Sequence, residues 1–563
     1  MKKHSITLVV SAALLALGFI VFRSVAATQE KDTRVRFVPN ELLVKFKPTA
    51  SDVAMIYSID SVGGTVVTHA KRAVTAAVWA TRAPHTASFL GDPLLVHLRF
   101  PATEDFNRAM AVLSSNPDVE YVERNYINDL DTTPDDTSFS LQWGLNNTGQ
   151  SGGMADADID APGAWDTTTG SSDIVIAIID TGIDSDHLDL EDNIWTNAGE
   201  VGAGKETDGI DNDGNGYEDD WQGWDFVNSD NNPNDDDGHG THVAGIAGAS
   251  GNNGTGISGV CWNVRLMALK VFSPQGGEDA DIISAIDYAI DAGANVINAS
   301  WGGYQSSSSV KSAISRAAAA GILFVAAAGN NSYNTDSSLR FHYPSGYDLD
   351  NIISVLSTNH SDGLSSFSNY GRYAIDLGAP GGTDGTQNSY NIYSTKPGGL
   401  YQYMAGTSMS TPFVSGAAAL LIGQRPTVDW WHHKTIILNS VDTLASLTTK
   451  CRTGGRLNLY NAVNCPTPVL PTTPTDLDGT VIEEGQEIYD IELTWTDNSD
   501  NESGFRIYLR VSPERYNEIG SVGPNTTTYT FHEAFPGYYY FCIRAYRADG
   551  ESARAYAAIK VPE

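Results

Sequence analysis

The chain has 563 residues, with 34 Lys and Arg against 68 Asp and Glu, a formal net charge of −34. That length exceeds one ordinary domain and suggests three or four folding units, and 41% hydrophobic residues exclude a disordered acidic tail. The acidity argues against nucleic acid or anionic lipid as partner and favours cations such as Ca²⁺.

Residues 1–27 read as a secretory signal: Lys2 and Lys3, an apolar run from Ile6 to Phe22, then Val25-Ala26-Ala27 as a small-residue cleavage site. The alternative is an uncleaved membrane anchor, for which the run is short. Residues 28–130 read as a small α+β unit. Glu41–Lys47 and Leu94–Phe100 alternate like strands, Asp105–Asn116 has helical spacing with Phe106, Met110 and Leu113 on one face, and Val119–Glu123 is another strand.

Residues 131–464 alternate apolar strands with helices. Ile174–Ile179 and Ile322–Ala326 are continuous apolar runs, as parallel strands covered on both faces require. Ile282–Ala292 and Val310–Ala320 read as crossover helices, and an apolar helix is expected from Phe413 to Leu421. Residues 465–475 form a stiff Pro/Thr-rich linker. Residues 476–563 carry short alternating strands at 491–496, 504–510, 538–546 and 556–561, which suggests a β-sandwich.

Four segments carry chemistry. Asp180-Thr181-Gly182 follows an apolar strand, where open α/β sheets place their sites. Gly238-His239-Gly240-Thr241-His242 opens a helix with small residues. Ala328-Gly329-Asn330 ends a second strand, and Gly406-Thr407-Ser408-Met409-Ser410 precedes an apolar helix. Each segment alone is more often a cap or a turn. Together, in the order Asp, His, Asn, Ser, they resemble the subtilisin-like serine proteases, across about residues 136–463.

The resemblance implies that His239 takes the Ser408 proton, Asp180 fixes the histidine tautomer, and Asn330 with the Ser408 backbone N–H stabilises the oxyanion. His242 competes for the base role from one turn further on; the family uses the first His, so His239 is chosen. The resemblance also implies that Ser300, Trp301, Gly302 and Gly329 wall the substrate pocket, with Gly276 on the opposite edge pairing to extended peptide. His342, before Tyr343-Pro344, falls at a pocket position that varies in the family.

Asp211-Asn212-Asp213-Gly214-Asn215-Gly216 fits a calcium loop, with side chains of Asp211, Asp213 and Asn215 and the Tyr217 carbonyl as ligands. Position twelve is Gln222 rather than Glu, so Asp220 or Asp219 supplies the last carboxylate; the alternative is a solvated acidic loop. A second calcium site follows from the resemblance, with Asp189, Asn253, Thr255 and Ile257 in the loop and Asp136 closing it. Secretion makes a Cys451–Cys465 disulfide the expected pairing, with Cys261 and Cys542 as buried thiols.

The expected architecture is thus α/β, a three-layer parallel-sheet catalytic domain after a small α+β propeptide and before an all-β sandwich resembling a fibronectin type III domain. The expected function is a secreted, calcium-stabilised serine endopeptidase made as a zymogen. It is expected to act on proteins or peptides as a monomer, with its own propeptide as inhibitor and no stable membrane association once processed. The alternatives are an inactive or adhesive protein on this scaffold and a specific processing protease.

Overall fold

The apolar run at 174–179 is buried on alternate sides. Ile174, Ile176 and Ile178 enter one core cluster, while Val175, Ala177 and Ile179 enter another. A strand so placed must be covered by helices on both faces, which makes three layers. The computed structural model describes residues 37–62, 65–66, 94–100, 106–126, 132–337, 339–383, 387–485, 488–512 and 514–562. The secretory-signal reading of residues 1–27 lies outside them.

Two compact units divide the chain, residues 1–130 and 131–563. In the first, β1 (Phe37–Phe46), β2 (Thr65–Val66), β3 (Leu95–Arg99) and β4 (Val119–Tyr126) form an antiparallel sheet in the order β2-β3-β1-β4. Helices α1 (Asp52–Asp60) and α2 (Phe106–Ser114) accompany it, with Leu42, Val44, Leu98 and Leu113 in the core. Strands β1, β3 and β4 and helix α2 fall where alternation and helical spacing place them, whereas the two-residue β2 was not expected. Helix α1 was not expected: Val53 and Tyr57 point to solvent while Met55 and Ile59 are buried, so apolar residues on both sides blur its stripe, and its start is set by Ser51 accepting the Ala54 N–H.

The second unit is built on β5 (Gly170–Asp180), β6 (Gly223–Asp225), β7 (Asn263–Lys270), β8 (Val296–Ala299), β9 (Leu323–Ala327), β10 (Ile352–Thr358) and β11 (Leu377–Pro380). These run parallel in the order β11-β10-β9-β8-β5-β7-β6. A short parallel strand at Gly455–Arg456 and an antiparallel one at Asp442–Thr443 extend the β11 edge. Helices α3 (His239–Gly248) and α6 (Thr407–Gln424) contribute to one core, and α4 (Asp279–Asp291) and α5 (Ser308–Ala319) to the other.

Helix α6 starts six residues before the apolar run that announced it and passes through Pro412. Proline lacks the N–H that would bond the carbonyl four residues back. That carbonyl belongs to Ser408, and it accepts the Ser300 hydroxyl instead, at 2.8 Å.

Beyond residue 474, strands Thr475–Gly485, Ile488–Thr496 and Thr528–Ala534 form one sheet, and Gly504–Ser512, Arg515–Val522, Gly537–Arg547, Gly550–Glu551 and Ala555–Val561 a second. Leu493, Trp495, Phe505, Ile507, Phe541 and Ile543 fill the space between them.

The expected Cys451–Cys465 disulfide is not formed; all four cysteines are free. Cys451 is buried beside Ala328, Leu356, Ile375 and Leu447, whereas Cys465 packs on the main core at the end of a helix. Proximity in sequence did not bring the two sulfurs together, because the chain between them contributes a sheet strand and a helix. Cys261 and Cys542 are buried thiols, as expected.

One buried charge cluster closes this unit. Arg456 is 2% exposed and pairs with Asp362 and Asp442, the latter at 2.7 Å. Nearby, burial pushes Asp158 up to about 6, and burial with the Asp158 and Asp442 carboxylates pushes Asp160 up to about 7. A carboxyl raised in the fold favours the folded state below its unfolded pKa of about 3.9, and this contribution is lost as pH rises through the folded value. Asp160 sits at a φ of 55° and its Oδ2 accepts the Asn458 amide at 2.7 Å, both compatible with asparagine. Asp160→Asn should therefore raise Tm by a few degrees at pH 8 and by less at pH 5, measured by scanning calorimetry; an equal change at both pH values would contradict this account.

Candidate active site

Strand β5 delivers Asp180 to its C-terminal end, 1% exposed. Asp180 Oδ1 accepts from the Thr181 N–H at 2.8 Å and from His239 Nδ1 at 2.7 Å. A proton on Nδ1 leaves Nε2 as a free base facing away from the carboxylate. His239 is the first residue of α3, and the residue after it must be glycine. A Cβ on Gly240 would lie 2.1 Å from the Gly182 carbonyl oxygen and 3.2 Å from Asp180 Cβ.

Asp235 ties these pieces together. Its carboxylate accepts from the Thr181 hydroxyl at 2.8 Å, from the Asp237, Gly238 and Thr241 N–H groups at 2.9–3.0 Å, and from the Thr241 hydroxyl at 2.6 Å. Sequence reasoning missed this residue among its acidic neighbours; its only signal is an Asp a few residues ahead of a helix start.

Burial disfavours the His239 imidazolium, but Asp180, then Asp237 and Asp235, outweigh it and hold the pKa above the usual histidine range. His242 is fully buried, with Nε2 near the Ile392 and Gln402 carbonyl oxygens, both at 3.2 Å. Burial and the neighbouring His239 push its pKa down to about 3, so it is a neutral packed residue.

The Ser408 hydroxyl donates to the Ser300 carbonyl at 2.9 Å. Asn330 Oδ1 accepts from the Thr407 N–H and hydroxyl, both at 2.9 Å, which fixes the amide with its NH₂ outward. A Cβ built on Gly406 would lie 3.4 Å from Asn330 Nδ2 and 3.6 Å from the Ser408 nitrogen. The two donors therefore border one small space beside the serine, kept open because residue 406 has no side chain.

Ser300, Trp301 and Gly302 continue from β8, with the Trp301 indole donating to the Ile179 carbonyl at 2.8 Å. Gly302 and Gly329 flank the His342 ring: an added Cβ would come within 2.3 Å of it at Gly302 and 2.7 Å at Gly329. His342 is 4% exposed, and burial pushes it down to about 4, so a neutral ring fills the space between the two glycines. Gly276 is exposed and pairs with Ser273 in a short antiparallel turn, and its neighbour Gly277 lines the cavity beside Trp301 and Gly302. A cavity of about 250 Å³ opens beside Trp301, Gly302 and Gly303, lined further by Ile282, Val310 and Tyr347.

In the acidic loop, Asp211 and Asp213 form a cluster with Glu200, one carboxylate oxygen of each lying within 4.8 Å of the others. Glu200 is fully buried; its Oε1 accepts from the Asn212 and Asp213 N–H groups, and its Oε2 has no partner among the described residues. An orphaned buried carboxylate oxygen is costly, and a cation relieves it. Sequence reasoning missed Glu200 because it lies eleven residues ahead of the motif. Asp220 is committed to hydrogen bonds from Asn197, Asn215 and the Tyr288 hydroxyl, and the Tyr217 ring packs on Trp224 and Tyr288.

The second loop also comes together. Asp136 accepts from the Asn252 and Asn253 N–H groups at 2.9 and 3.0 Å. Asp189 accepts from the Ile257 N–H at 2.8 Å, the Tyr401 hydroxyl at 2.9 Å and the Asn253 amide at 3.3 Å, and Thr255 N–H donates to Asn253 Oδ1 at 2.8 Å. Burial raises the Asp189 pKa despite these donors.

The profile of the Subtilase family matches residues 171–460, and that of the fervidolysin N-terminal prodomain matches residues 23–125. The chain is 38% identical over 354 residues to the thermophilic serine proteinase of Bacillus sp. strain AK1, covering 62% of this chain and 74% of that one. It is 37% identical over 306 residues to thermitase of Thermoactinomyces vulgaris, covering 54% and 93%. A solved protease structure from Pseudoalteromonas arctica covers 59% of this chain and 99% of that one, at 28% identity and a TM-score of 0.47. With an Asp, a His, an Asn and a Ser gathered at the strand ends and helix starts of a parallel sheet, the chain belongs to the subtilase family and is a subtilisin-like serine endopeptidase with a fervidolysin-like prodomain.

Proposed function

We propose that Asp180, His239 and Ser408 act as the triad of this endopeptidase, with Asn330 and the Ser408 N–H as oxyanion donors. The 2.7 Å His239–Asp180 contact carries the reading, because it leaves Nε2 unprotonated. A turn of the Ser408 side chain away from the Ser300 carbonyl brings its hydroxyl to that nitrogen. The proton passes to Nε2 as the oxygen attacks the scissile carbonyl, and Asp180 stabilises the imidazolium. Negative charge develops on the carbonyl oxygen in the space beside Gly406, between the two fixed donors. His239 then protonates the leaving amine, and water repeats the sequence on the acyl-enzyme. Ser300–Gly303 pairs with extended substrate as an added strand.

Calcium is proposed at two places. Asp211, Asp213 and Glu200 would hold one ion, with Asn215, the Tyr217 carbonyl and Asp220 completing or bracing the shell. Asp136, Asp189, Asn253, Thr255 and Ile257 would hold the other, where burial raises the pKa of the Asp189 carboxyl. Bound calcium supplies positive charge that offsets these acids. The segment 28–130 acts as folding aid and temporary inhibitor, with self-cleavage between Tyr126 and Asp136, and the signal-like residues 1–27 direct secretion. The C-terminal sandwich is of fibronectin type III kind, supported by its three-strand and larger sheets and by the Tyr539 hydroxyl, which accepts from the Phe535 N–H at 2.9 Å.

Expression of Ser408→Ala tests the central reading: the precursor should accumulate uncleaved and casein hydrolysis should vanish, whereas equal processing of both proteins would refute it. Asn330→Ala should lower kcat by about 10²–10³, the loss measured for the corresponding donor of subtilisin. Because His239 is held above its ordinary pKa and must be neutral to act, kcat/KM should rise with pH through a value above about 6.5. Asp237→Asn should lower that value at low ionic strength and by less in 1 M salt, since Asp237 is exposed. Chelation with EDTA should lower Tm, and Glu200→Gln should reduce that response; a Tm indifferent to EDTA would exclude both calcium sites.

A further inference from the structure

The segment from His342 to Asp350 joins two regions that the sequence treats as separate modules. Its first half is cleft wall. His342 fills the space between Gly302 and Gly329, Tyr343 exchanges backbone hydrogen bonds with Gly303 at 2.7 and 2.8 Å, and Tyr343, Pro344 and Tyr347 line the 250 Å³ cavity. Its second half is gripped by the C-terminal sandwich. Asp350 pairs with Arg544 at 2.5 Å and with Arg554 at 3.4 Å, and Asp348 pairs with Arg554.

Glu514 makes the most informative contact. Its Oε2 accepts from the Asp348 N–H at 3.1 Å and from Lys311 Nζ at 2.5 Å. Asp348 directly follows the cavity residue Tyr347, and Lys311 directly follows the cavity residue Val310 on α5. The Tyr347 hydroxyl in turn bonds the Ser307 N–H and carbonyl, at 2.8 and 2.9 Å, closing the same two walls on each other. Glu514 is only 6% exposed, so its charge is balanced by Lys311 rather than by water.

We propose that Glu514 of the C-terminal sandwich is a positioning residue for substrate binding, holding the two walls of the cavity beside Trp301–Gly303 at a set width. The sandwich is then a working part of the specificity apparatus and not a tethered passenger. This rests on the reading of that cavity as a substrate subsite. Side chains of an extended peptide alternate in direction, so only one or two upstream positions can enter it. A wall that drifts costs binding of a side chain that fills the cavity and leaves a small side chain unaffected.

The test uses full-length processed enzyme and peptides carrying Ala or Phe at each position upstream of the scissile bond. Glu514→Ala should raise KM for the Phe peptide at one position by about three- to tenfold, with kcat and the KM of the matching Ala peptide within about twofold. Glu514→Gln, which keeps an acceptor for the Asp348 N–H, should recover part of the loss. Gly303→Leu serves as the control for the subsite itself, because a Cβ there meets open space. It should weaken the same Phe peptide. If Gly303→Leu discriminates and Glu514→Ala does not, or changes both peptides equally, the positioning role is overturned and the subsite stands. If neither discriminates, the subsite reading falls, and the proposal with it. A Tm for each variant, read beside these ratios, separates loss of fold from loss of selectivity.

Discussion

A carboxylate that is 1% exposed at the end of a sheet strand needs partners, and Asp180 finds them at Oδ1 in His239 and the Thr181 N–H. The local arrangement follows from that need. Strand β5 is apolar on both faces, so it can lie only in the middle of three layers, and its end is the first place where a polar side chain meets another element. Helix α3 must begin there, close enough that only glycine fits at residue 240. Asp235 then holds the helix start and the strand end in one hydrogen-bonded frame.

The same logic of compensated polar groups governs the serine. Pro412 removes a helix N–H, the freed carbonyl of Ser408 takes the Ser300 hydroxyl, and the Ser408 hydroxyl takes the Ser300 carbonyl. Two reciprocal bonds thereby fasten the proposed nucleophile's residue to the edge proposed to pair with substrate. Proline inside a helix usually costs about 3 kcal/mol. Here it falls in the first two turns, and its lost bond is replaced by one that registers the helix against the sheet.

Electrostatics separates two uses of acidity. Residues 180–240 hold nineteen carboxylates and one base, Lys205. Asp180, Asp235 and Asp237 raise the affinity of His239 for its proton, whereas Glu200, Asp211 and Asp213 converge on one another and call for a cation. Farther along, acids are matched by basic side chains: Asp348 and Asp350 by Arg544 and Arg554, Glu514 by Lys311. These last contacts make residues 131–563 one compact unit despite the proline-rich stretch between its parts.

By itself the sequence determined the parallel sheet, through runs such as Ile174–Ile179 that no half-exposed strand tolerates, and it marked the four residues proposed as reactive, through short segments in which glycine and small residues surround an Asp, His, Asn or Ser. It also marked the first module as a small α+β unit and the last as a β-sandwich, through alternation and helical spacing. Tertiary structure alone decided the contacts between residues far apart in the chain. Glu200 joins Asp211 and Asp213 only when the loop closes, Cys451 and Cys465 are kept in separate packing clusters by the strand and helix between them, and Glu514 meets Lys311 and Asp348 across 203 and 166 residues. Helix α1 escaped notice because two of its apolar residues face water. The physical reason is common to all: periodicity and local hydrogen bonding are written in neighbouring residues, whereas burial, ion pairing and metal-ligand convergence depend on which distant surfaces the packed sheet brings together.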